Sequence, residues 1–365
     1  MTDLTAPPNV SSLLTSGGAA LPSGLQPTTG PGEFEFVFDD YTQRIVVSCL
    51  FALISIVGTF GNSLVIAAVL VSRKLRTATN VFVVSLSFAD LLTCLFLPWN
   101  VVALLSTEGW PTADEICATA AVVMFTCVGC SVYTLAAIAI NRYVLITQPM
   151  STYRAYYTKW KMALMIAITW AIPFFTAMMP VMFGLGELGY DTRYSTCTHK
   201  TSHPLSDYYS LTQAILIYPI PMVTIVLCYC FLFLHIRRHA RNINEQPETS
   251  SSSSSKPIRR DSTSAKRGIS KRQVEISKNL FYVVCAFALC ITPYCASLVI
   301  PYSEPFVPWA GAVILFNSCV NPLIYSTKHP YFRQVMGAIL KCRPDAIPEP
   351  SDWLRSQRGS NWTPR

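Results

Sequence analysis

Residues 115–147 read EICATAAVVMFTCVGCSVYTLAAIAINRYVLIT, and residues 116–141 within this stretch carry no charged side chain. An α-helix rises 1.5 Å per residue, so about 20 apolar residues cross the hydrocarbon core of a bilayer. The stretch is therefore long enough to span a membrane and to continue past it. A transmembrane barrel strand needs only about 10 residues, so this length predicts a helix.

Six further windows satisfy the same test of length and polarity. They are residues 45–71, 80–104, 161–183, 209–235, 275–300 and 308–327. The chain of 365 residues is 51% hydrophobic and 13% charged, whereas soluble proteins are about 25% charged. These properties predict an all-α membrane protein, a seven-transmembrane helix bundle, and argue against a soluble protein. We number the windows as spans one to seven in chain order.

The composition of the segments before and between the spans predicts that they are disordered. Residues 1–40 are rich in Pro, Gly, Ser and Thr and are expected to form a disordered extracellular N-terminus. Asn9 begins a glycosylation sequon in this segment. Residues 41–327 are expected to form the transmembrane domain, and its third loop, residues 236–274, is polar, contains a run of Ser and is expected to be disordered.

The segment after span seven divides into two parts. Residues 328–341 predict a short amphipathic eighth helix that lies on the inner leaflet of the membrane. Residues 342–365 are expected to form a cytoplasmic tail. Cys342, which stands between two basic residues, is a candidate for palmitoylation.

Basic residues lie mostly on one side of the predicted spans. The loops after spans one, three and five and the tail hold 25 of the 28 Lys and Arg residues, and the other side keeps Arg44, Arg193 and Lys200. By the positive-inside rule the N-terminus is extracellular and the C-terminus cytoplasmic, as in a multi-pass plasma-membrane protein. The net charge of +8 does not indicate nucleic acid, because these residues face the lipid bilayer surface or a cytosolic partner.

The positions of the cysteines test this topology. Of 13 Cys, ten lie within the spans and one in the tail, so only Cys117 and Cys197 remain on the outer side. Disulfides persist in oxidising compartments, and these two residues therefore predict a bond between the top of span three and the loop before span five. The alternative is two unpaired outer thiols.

Short motifs within the spans resemble those of the rhodopsin-like (class A) G-protein-coupled receptors. In chain order they are Gly61-Asn62, Ser87-Phe88-Ala89-Asp90-Leu91, Asn141-Arg142-Tyr143, Trp170, Pro221 with Tyr229, Pro293, and Asn321-Pro322-Leu323-Ile324-Tyr325. The resemblance covers about residues 45–340. It implies a receptor that binds an extracellular small molecule and activates a heterotrimeric G protein by outward movement of helix six. Arrestin and receptor kinases are further partners that the resemblance implies.

Within this family the sequence is most similar to the group of melatonin receptors, the medium-chain fatty-acid receptor and the invertebrate moody and trapped-in-endoderm receptors. Residues 141–146, 316–321 and 332–334 carry this likeness. The group favours a G protein of the inhibitory class. Two residues depart from the melatonin receptors, since Pro322 stands where they have Ala and Ile217 where they have His.

The resemblance implies roles in activation or G-protein contact for ten residues. They are Asn141, Arg142, Tyr143, Pro221, Tyr229, Phe287, Pro293, Asn321, Pro322 and Tyr325. For a lone basic residue, the alternative is an Arg142 that extends to lipid headgroups. The family usually has Asp in place of Asn141, and Gln273 on span six offers no carboxylate either, which predicts raised basal activity. Ile291 stands where most relatives have Trp.

Asp90 is an acid within a membrane span, and such acids usually have a partner or a function. The resemblance implies an allosteric sodium site in which Asp90 is the charge, Ser131 a ligand, and Asn317 and Asn321 supporting groups, with Ser318 as a further oxygen donor. Sodium prefers such oxygen ligands. The alternative is a protonated Asp90 that is hydrogen-bonded to its neighbours. No other cofactor is expected.

The resemblance also limits which chemical classes of ligand the receptor is expected to bind. Leu315 stands where light receptors carry the lysine that holds retinal, and Met124 where amine receptors carry an Asp. The candidate ligand-binding residues are mostly apolar: Met124, Phe125, Val128, Ile217, Tyr294 and Leu298, with Asn100, Gln213 and His199 as polar groups. Such a pocket fits a neutral or weakly acidic amphipathic ligand, a melatonin-like indole or a lipid. The alternative for each residue is simple packing in the bundle.

Two other classes of protein compete with the receptor. A transporter or channel would use Asp90 as an intramembrane cation site, but the paired broken spans of two related halves are not apparent in the sequence. An enzyme is not expected, because the chain contains neither an HExxH run nor a GxSxG elbow.

Overall fold

The computed structural model describes residues 37–244, 271–297, 299–300 and 302–356. Asn9, Leu298 and the side chain of Gln273 lie outside the described residues. Seven helices in the described part are long and apolar enough to cross a membrane, which confirms the predicted bundle. They are Tyr41–Val71, Ala78–Leu105, Asp114–Thr147, Lys159–Phe183, a fifth in two parts (Ser206–Ile217 and Pro219–Asn244), Lys271–Ser297 and Val307–Lys328.

The helices extend past the apolar windows into polar sequence. Span five continues to Asn244 and span six begins at Lys271, so both enter the predicted loop of residues 236–274. A hydropathy window detects only the part of a helix that suits lipid, whereas the backbone hydrogen bonds also persist in water. Both helices are therefore longer than the apolar windows indicate.

The N-terminal end of span one is ordered before the predicted limit at residue 40. The carboxylate of Asp40 caps the helix by accepting a hydrogen bond from the N–H of Thr42 at 2.9 Å. Phe38 is 2% exposed, and its N–H donates to the carbonyl of Arg193 at 2.7 Å. Burial and a hydrogen bond to a distant loop fix these residues, and composition alone shows neither.

Arg44, one turn inside span one, is buried against span two. Its Nε donates to the carbonyl of Leu104 at 2.7 Å and its Nη2 to that of Ser106 at 2.5 Å. The last carbonyls of a helix have no partner within the helix, so the guanidinium caps the end of span two.

Span five is interrupted at Tyr218, three residues before Pro221. Proline lacks an N–H and clashes with the preceding turn, so the carbonyls four residues before Pro219 and Pro221 lose their helical partners. The hydroxyl of Tyr133 on span three donates to the carbonyl of Leu216 at 2.9 Å and satisfies one carbonyl beside the break. In contrast, Pro293 and Pro322 lie inside continuous helices.

Span three is the most buried of the seven and packs against spans two, four and five. Close approach at two crossings requires glycine. A Cβ at Gly129 would lie 2.6 Å from Cβ of Pro173 on span four, and one at Gly61 would lie 2.9 Å from Cβ of Pro322 on span seven. Small residues let membrane helices approach closely, so these crossings fix the relative positions of the spans.

The predicted eighth helix is present as Pro330–Leu340, two residues later than predicted. The helical structure is interrupted at His329, after span seven. Nδ1 of His329 accepts a hydrogen bond from the N–H of Phe332 at 3.4 Å. The ring of Phe332 stacks on Tyr325 with centroids 5.4 Å apart. This contact joins the amphipathic helix to span seven.

Three smaller elements were not predicted from the sequence. Two short helices, Met150–Tyr156 and Asp352–Ser356, lie in the loop after span three and in the tail. Strands Leu188–Asp191 and Thr196–His199 form an antiparallel hairpin before span five. All three are too short to show a clear hydrophobic period.

Candidate functional site

The hairpin is attached to the bundle at two points. A disulfide joins Cys117 of span three to Cys197 of the second strand, which confirms the predicted bond. The N–H of Cys197 donates to Oδ1 of Asn100 on span two at 2.9 Å. Asn100 therefore holds the hairpin in position as well as facing the cavity described below.

Asp191 fixes the turn and the segment after the hairpin. Its buried carboxylate accepts hydrogen bonds from the N–H and the hydroxyl of Thr201 at 2.8 and 2.7 Å and from the N–H of Tyr194 at 3.1 Å. A buried carboxylate with several donors is well satisfied. This network orients the residues between the strands and the start of span five.

A cavity of about 410 Å³ lies under the hairpin, within the size range of small-molecule sites. Six of the nine predicted ligand-binding residues line it: Asn100, Met124, Phe125, Val128, His199 and Tyr294. Leu298 lies outside the described residues. Leu315, at the place of the retinal lysine in light receptors, is also in the wall.

Gln213 and Ile217 of span five are not among the residues that line the cavity. The amide of Gln213 donates to the hydroxyl of Tyr209 at 3.0 Å. Ile217 packs at the crossing of spans three and four, where its Cδ1 would lie 3.2 Å from a Cβ at Gly129. The break at Tyr218 changes which face of span five meets the bundle. A prediction from the periodicity of one continuous helix does not account for such a break.

The structure adds charged residues that the sequence did not indicate. Arg193 of the hairpin turn, Asp207 at the start of span five and Glu304 before span seven all line the cavity. Tyr194, an uncharged residue of the same turn, also lines the cavity, and burial raises the pKa of its phenol. All four come from loops or helix ends, where sequence spacing does not indicate which way a side chain points.

His199 presents a defined tautomer to the cavity. Its Nε2 lies 2.9 Å from Oγ of Ser210, and that hydroxyl donates its hydrogen to the carbonyl of Ser206 at 2.9 Å. The ring therefore donates from Nε2, and Nδ1 is the acceptor, 3.4 Å from Oγ1 of Thr198. Burial lowers the pKa of His199, which favours the neutral ring at pH 7.

Asp90 is buried at 2% exposure among donors from two other spans. Its Oδ1 accepts from the hydroxyls of Ser131 and Ser318 at 3.1 Å each, and its Oδ2 accepts from Nδ2 of Asn321 at 2.7 Å. Asn317 makes no hydrogen bond with it among the described residues. These three donors tie span two to spans three and seven.

The residues around Asp90 fit a sodium ion. The buried Oδ1 atoms of Asn317 and Asn321 accept no hydrogen bond within the described part of the chain. Buried carbonyl oxygens normally have a partner, and hard cations take oxygen ligands. Asp90 would supply the charge, and Ser131, Ser318 and the two amide oxygens would supply neutral oxygens.

Arg142 lies near the end of span three that is distant from the cavity, and its side chain is buried in the bundle at 5% exposure. This burial does not fit an arginine that extends to the lipid headgroups. The neighbouring Asn141 faces away, since its Oδ1 accepts from the hydroxyl of Thr79 at 2.6 Å and its Nδ2 donates to that of Tyr153 at 3.2 Å. The amide thus ties span three to span two and to the short helix Met150–Tyr156.

Four further predicted activation residues lie on spans three, five, six and seven. Tyr143 lies beside Phe231, with ring centroids 6.4 Å apart, and Phe287 is buried in the apolar core. Tyr229 packs against Phe281, with centroids 5.2 Å apart, and Tyr325 stacks on the amphipathic helix. The buried hydroxyls of Tyr229 and Tyr325 have no hydrogen-bond partner among the described residues.

Seven membrane-crossing helices, a cavity covered by a disulfide-linked hairpin at one end and a buried arginine at the other end define a membrane receptor. The family model for 7 transmembrane receptors (rhodopsin family) matches residues 61–325, and the chain belongs to that family. The chain is a receptor and not an enzyme.

Individual relatives agree with this assignment. Human 5-hydroxytryptamine receptor 4 is 27% identical over 331 residues, which are 85% of this chain and 83% of that receptor. Human melatonin receptor type 1B is 30% identical over 304 residues, 80% of this chain and 78% of that receptor. The crystal structure of squid rhodopsin has the same fold, with a TM-score of 0.67 and 20% identity over 91% of this chain and 95% of that one.

Proposed function

We propose that this receptor resides in the plasma membrane, binds a neutral or weakly acidic amphipathic small molecule outside the cell and activates a heterotrimeric G protein inside it. The observation that carries the proposal is the continuity of span three. Met124 lines the cavity and Arg142 lies buried 18 residues further along the same helix. At 1.5 Å per residue the two are about 27 Å apart, so one helix connects both ends of the bundle.

The distribution of charge supports the orientation. Most of the Lys and Arg residues lie at one end of the bundle, the end that contains Arg142, the 72–77 loop and the tail. Such clusters of basic residues favour the cytoplasmic side. The disulfide and the cavity are then extracellular, where an oxidising environment maintains the bond.

The walls of the cavity support the ligand chemistry. Met124, Phe125 and Val128 provide an apolar surface, and the guanidinium of Arg193 is a cation that attracts a weak acid. Asp207 and Glu304 line the same cavity and disfavour a strongly anionic ligand. An indole or a medium-length lipid with one polar end has an apolar body for the cavity wall and carries no strong negative charge.

The names of the relatives offer two ligand classes, amines and melatonin. Met124 provides no carboxylate for an amine on span three, and this residue favours the second class. Amines still belong in the test, because Asp207 and Glu304 are anions in the cavity.

The Arg142 end supports coupling to a G protein. Activation of a two-state bundle requires groups that change partners, and the hydroxyls of Tyr229 and Tyr325, which have no hydrogen-bond partner in the part of the chain that the structure describes, are such groups. Asn141 is held by Thr79 and Tyr153 and cannot form an ion pair with Arg142, so appreciable basal activity follows. Likeness to the melatonin group favours the inhibitory class of G protein, with arrestin and receptor kinases as regulators.

A panel of G-protein biosensors tests this function. The full-length receptor, shown to be at the cell surface, is measured first without ligand and then with indole, fatty-acid and amine libraries. We expect basal activation of an inhibitory G protein and a further response to an indole or a lipid. The Arg142→Ala variant should lose the signal, whereas Lys200→Ala, which removes a cation at the opposite end of the bundle that pairs with Glu187, should keep it. Silence of the wild type under every condition contradicts the proposal.

A further inference from the structure

After the amphipathic helix the chain turns back and lies against the loop between spans one and two. The N–H of Arg343 closes the turn by donating to the carbonyl of Ala338 at 2.8 Å. Residues 344–356 then run along the 72–77 loop, and we call them the tail strap. The strap contains one turn of 3-10 helix, an extended part and the five-residue helix Asp352–Ser356.

Backbone hydrogen bonds join the tail strap to the loop in an antiparallel manner. The N–H of Arg73 donates to the carbonyl of Glu349 at 2.7 Å, and the N–H of Ser351 donates to the carbonyl of Val71 at 2.8 Å. A backbone edge of this kind can pair with any extended segment of suitable shape. The strap therefore occupies a surface that is open to a partner when the strap leaves.

Side chains make the contact specific. Ile347 is 5% exposed and belongs to the same buried apolar cluster as Leu75 and Phe332. The buried hydroxyl of Ser72 donates to the carbonyl of Pro348 at 2.6 Å. An apolar anchor and a buried hydrogen bond together distinguish this contact from loose association with a surface.

The docked tail strap also holds one residue in an unfavourable conformation. Glu349 has a φ of +47°, in the left-handed region that side chains disfavour, and it precedes Pro350, which restricts its backbone further. Residues keep such conformations only where surrounding contacts impose them. Undocking relieves this strain, so the docked strap is able to leave.

Charges on the tail strap match those on the loop. Asp352 forms an ion pair with Arg73, and a carboxylate oxygen of Glu349 lies 3.9 Å from Nζ of Lys74. The Arg73 guanidinium lowers the pKa of Asp352, so the pair is charged at pH 7. Exposed ion pairs are weak and screened by salt, which keeps the contact reversible. While docked, the strap neutralises two of the three cations of the loop.

We propose that the tail strap is a competitor of the G protein: it covers the backbone edge and the cations of the 72–77 loop, and the receptor couples more strongly when the strap is released. This rests on the proposed function, because it assumes that the basic loops attract a G protein. Complementary charge mainly accelerates encounter, so masking Arg73 and Lys74 slows the approach of an acidic partner surface.

The test uses the full-length receptor in nanodiscs with two independent readouts. Hydrogen–deuterium exchange reports docking, because the amides of Arg73 and Ser351 are bonded only in the docked state. Nucleotide exchange on a purified inhibitory heterotrimer reports coupling. Ile347→Asp removes the apolar anchor. Trp353→Asp adds the same charge to a strap side chain that is 64% exposed, and it serves as the matched control.

We expect Ile347→Asp to accelerate exchange of both amides about 10-fold or more and to raise basal nucleotide exchange about threefold. The double variant Glu349→Gln/Asp352→Asn, which changes only exposed side chains, should act in the same direction to a smaller extent. Trp353→Asp should change neither readout.

Three results overturn the proposal. The amides of Arg73 and Ser351 are unprotected in the wild type, or Ile347→Asp removes their protection without raising coupling of an active receptor, or Trp353→Asp raises coupling equally. Silence of the wild type and all variants overturns the proposed function together with the partner named here, whereas protection of the amides would still report docking. A silent wild type with an active Ile347→Asp variant supports the competition.

Discussion

The hydroxyl of Tyr218 lies 3.0 Å from Oγ1 of Thr292, and this contact joins the break in span five to the turn of span six before Pro293. Thr292 donates its own hydrogen to the carbonyl of Ala288 at 2.6 Å, so Tyr218 is the donor. Thr292 is exposed on the surface of the bundle, where lipid surrounds it. A hydrogen bond in such a low-dielectric environment is stronger than one in water.

Removing this bond is expected to activate the receptor. Tyr218→Phe deletes the donor, and Thr292 keeps its bond to Ala288, so no hydroxyl loses its last partner. We expect a loss of about 1 kcal/mol of bundle stability and a rise in basal nucleotide exchange, because span six must separate from this contact to move outward. Thr292→Val should add little to the effect of Tyr218→Phe if both report one bond.

Thermal unfolding and biosensor measurements check this prediction. Tyr208→Phe, a change to an exposed tyrosine in the same span, is the control and should leave both values at wild-type level. Full additivity of the Tyr218 and Thr292 variants would show that the two residues act separately.

Asn141→Asp is expected to lower basal activity. An aspartate accepts hydrogen bonds from the hydroxyls of Thr79 and Tyr153, the two groups that contact Asn141, so the local structure is preserved. The new carboxylate belongs to the residue that precedes the buried Arg142, and attraction between opposite charges in a poorly solvated site favours the resting state. Basal nucleotide exchange measures the effect. Thr79→Val, which removes a contact but adds no charge, should not reduce the basal rate, and an unchanged rate in Asn141→Asp would refute the resting ion pair.

Sodium is expected to stabilise the resting bundle through Asp90. The wild type should melt at a higher temperature in NaCl than in KCl at equal ionic strength, and Asp90→Asn should remove the difference because it removes the charge of the site. Thr93→Val changes a buried residue one turn along span two whose hydroxyl donates to the carbonyl of Ala89 at 3.1 Å, and it should retain the sodium effect because it leaves the charge of Asp90 in place. Equal melting in both salts for the wild type would argue against the site.

Acidification is expected to destabilise the covered end of the bundle through His199. Burial lowers the pKa of His199 from its ordinary value of 6.5, and Asp191 and Asp207 oppose this only in part. As the pH falls below 6.5, the unfolded chain binds a proton that the folded chain does not, so the free energy of unfolding decreases. The loss begins at that pH and continues down to the lowered pKa.

Melting temperatures between pH 7.5 and about pH 5 follow this titration. His199→Gln should flatten the pH dependence. If His199→Gln keeps the full pH dependence, other groups cause it.

The spans were predictable because lipid requires long uncharged helices, and Asp90 and Arg142 were recognisable because charge is rare there. The partners of Asn141 were not predictable, since Thr79 and Tyr153 lie 62 and 12 residues away and no pattern links them. The cations and anions of the cavity come from loops, whose side-chain directions depend on the hairpin bonds.

The tail strap escaped prediction for a related reason. Ser72 and Pro350 pair across more than 270 residues, and the strap has neither the period of a helix nor the alternation of a long strand. Its one apolar anchor, Ile347, gives no periodic signal. Gln213 and Ile217 were expected in the cavity because residues 209–235 were treated as one continuous helix, and the structure breaks this helix at Tyr218.

The position of Arg44 has a consequence for how the protein is made. Its guanidinium bonds the last carbonyls of span two, so these bonds form only after both helices have entered the membrane and packed together. In the orientation proposed above, Arg44 lies at the end of span one that crosses the membrane during synthesis, and the carbonyls that bind its charge belong to the end of span two. We therefore expect the first two spans to insert as one unit, because a nascent chain that stops between them lacks this contact.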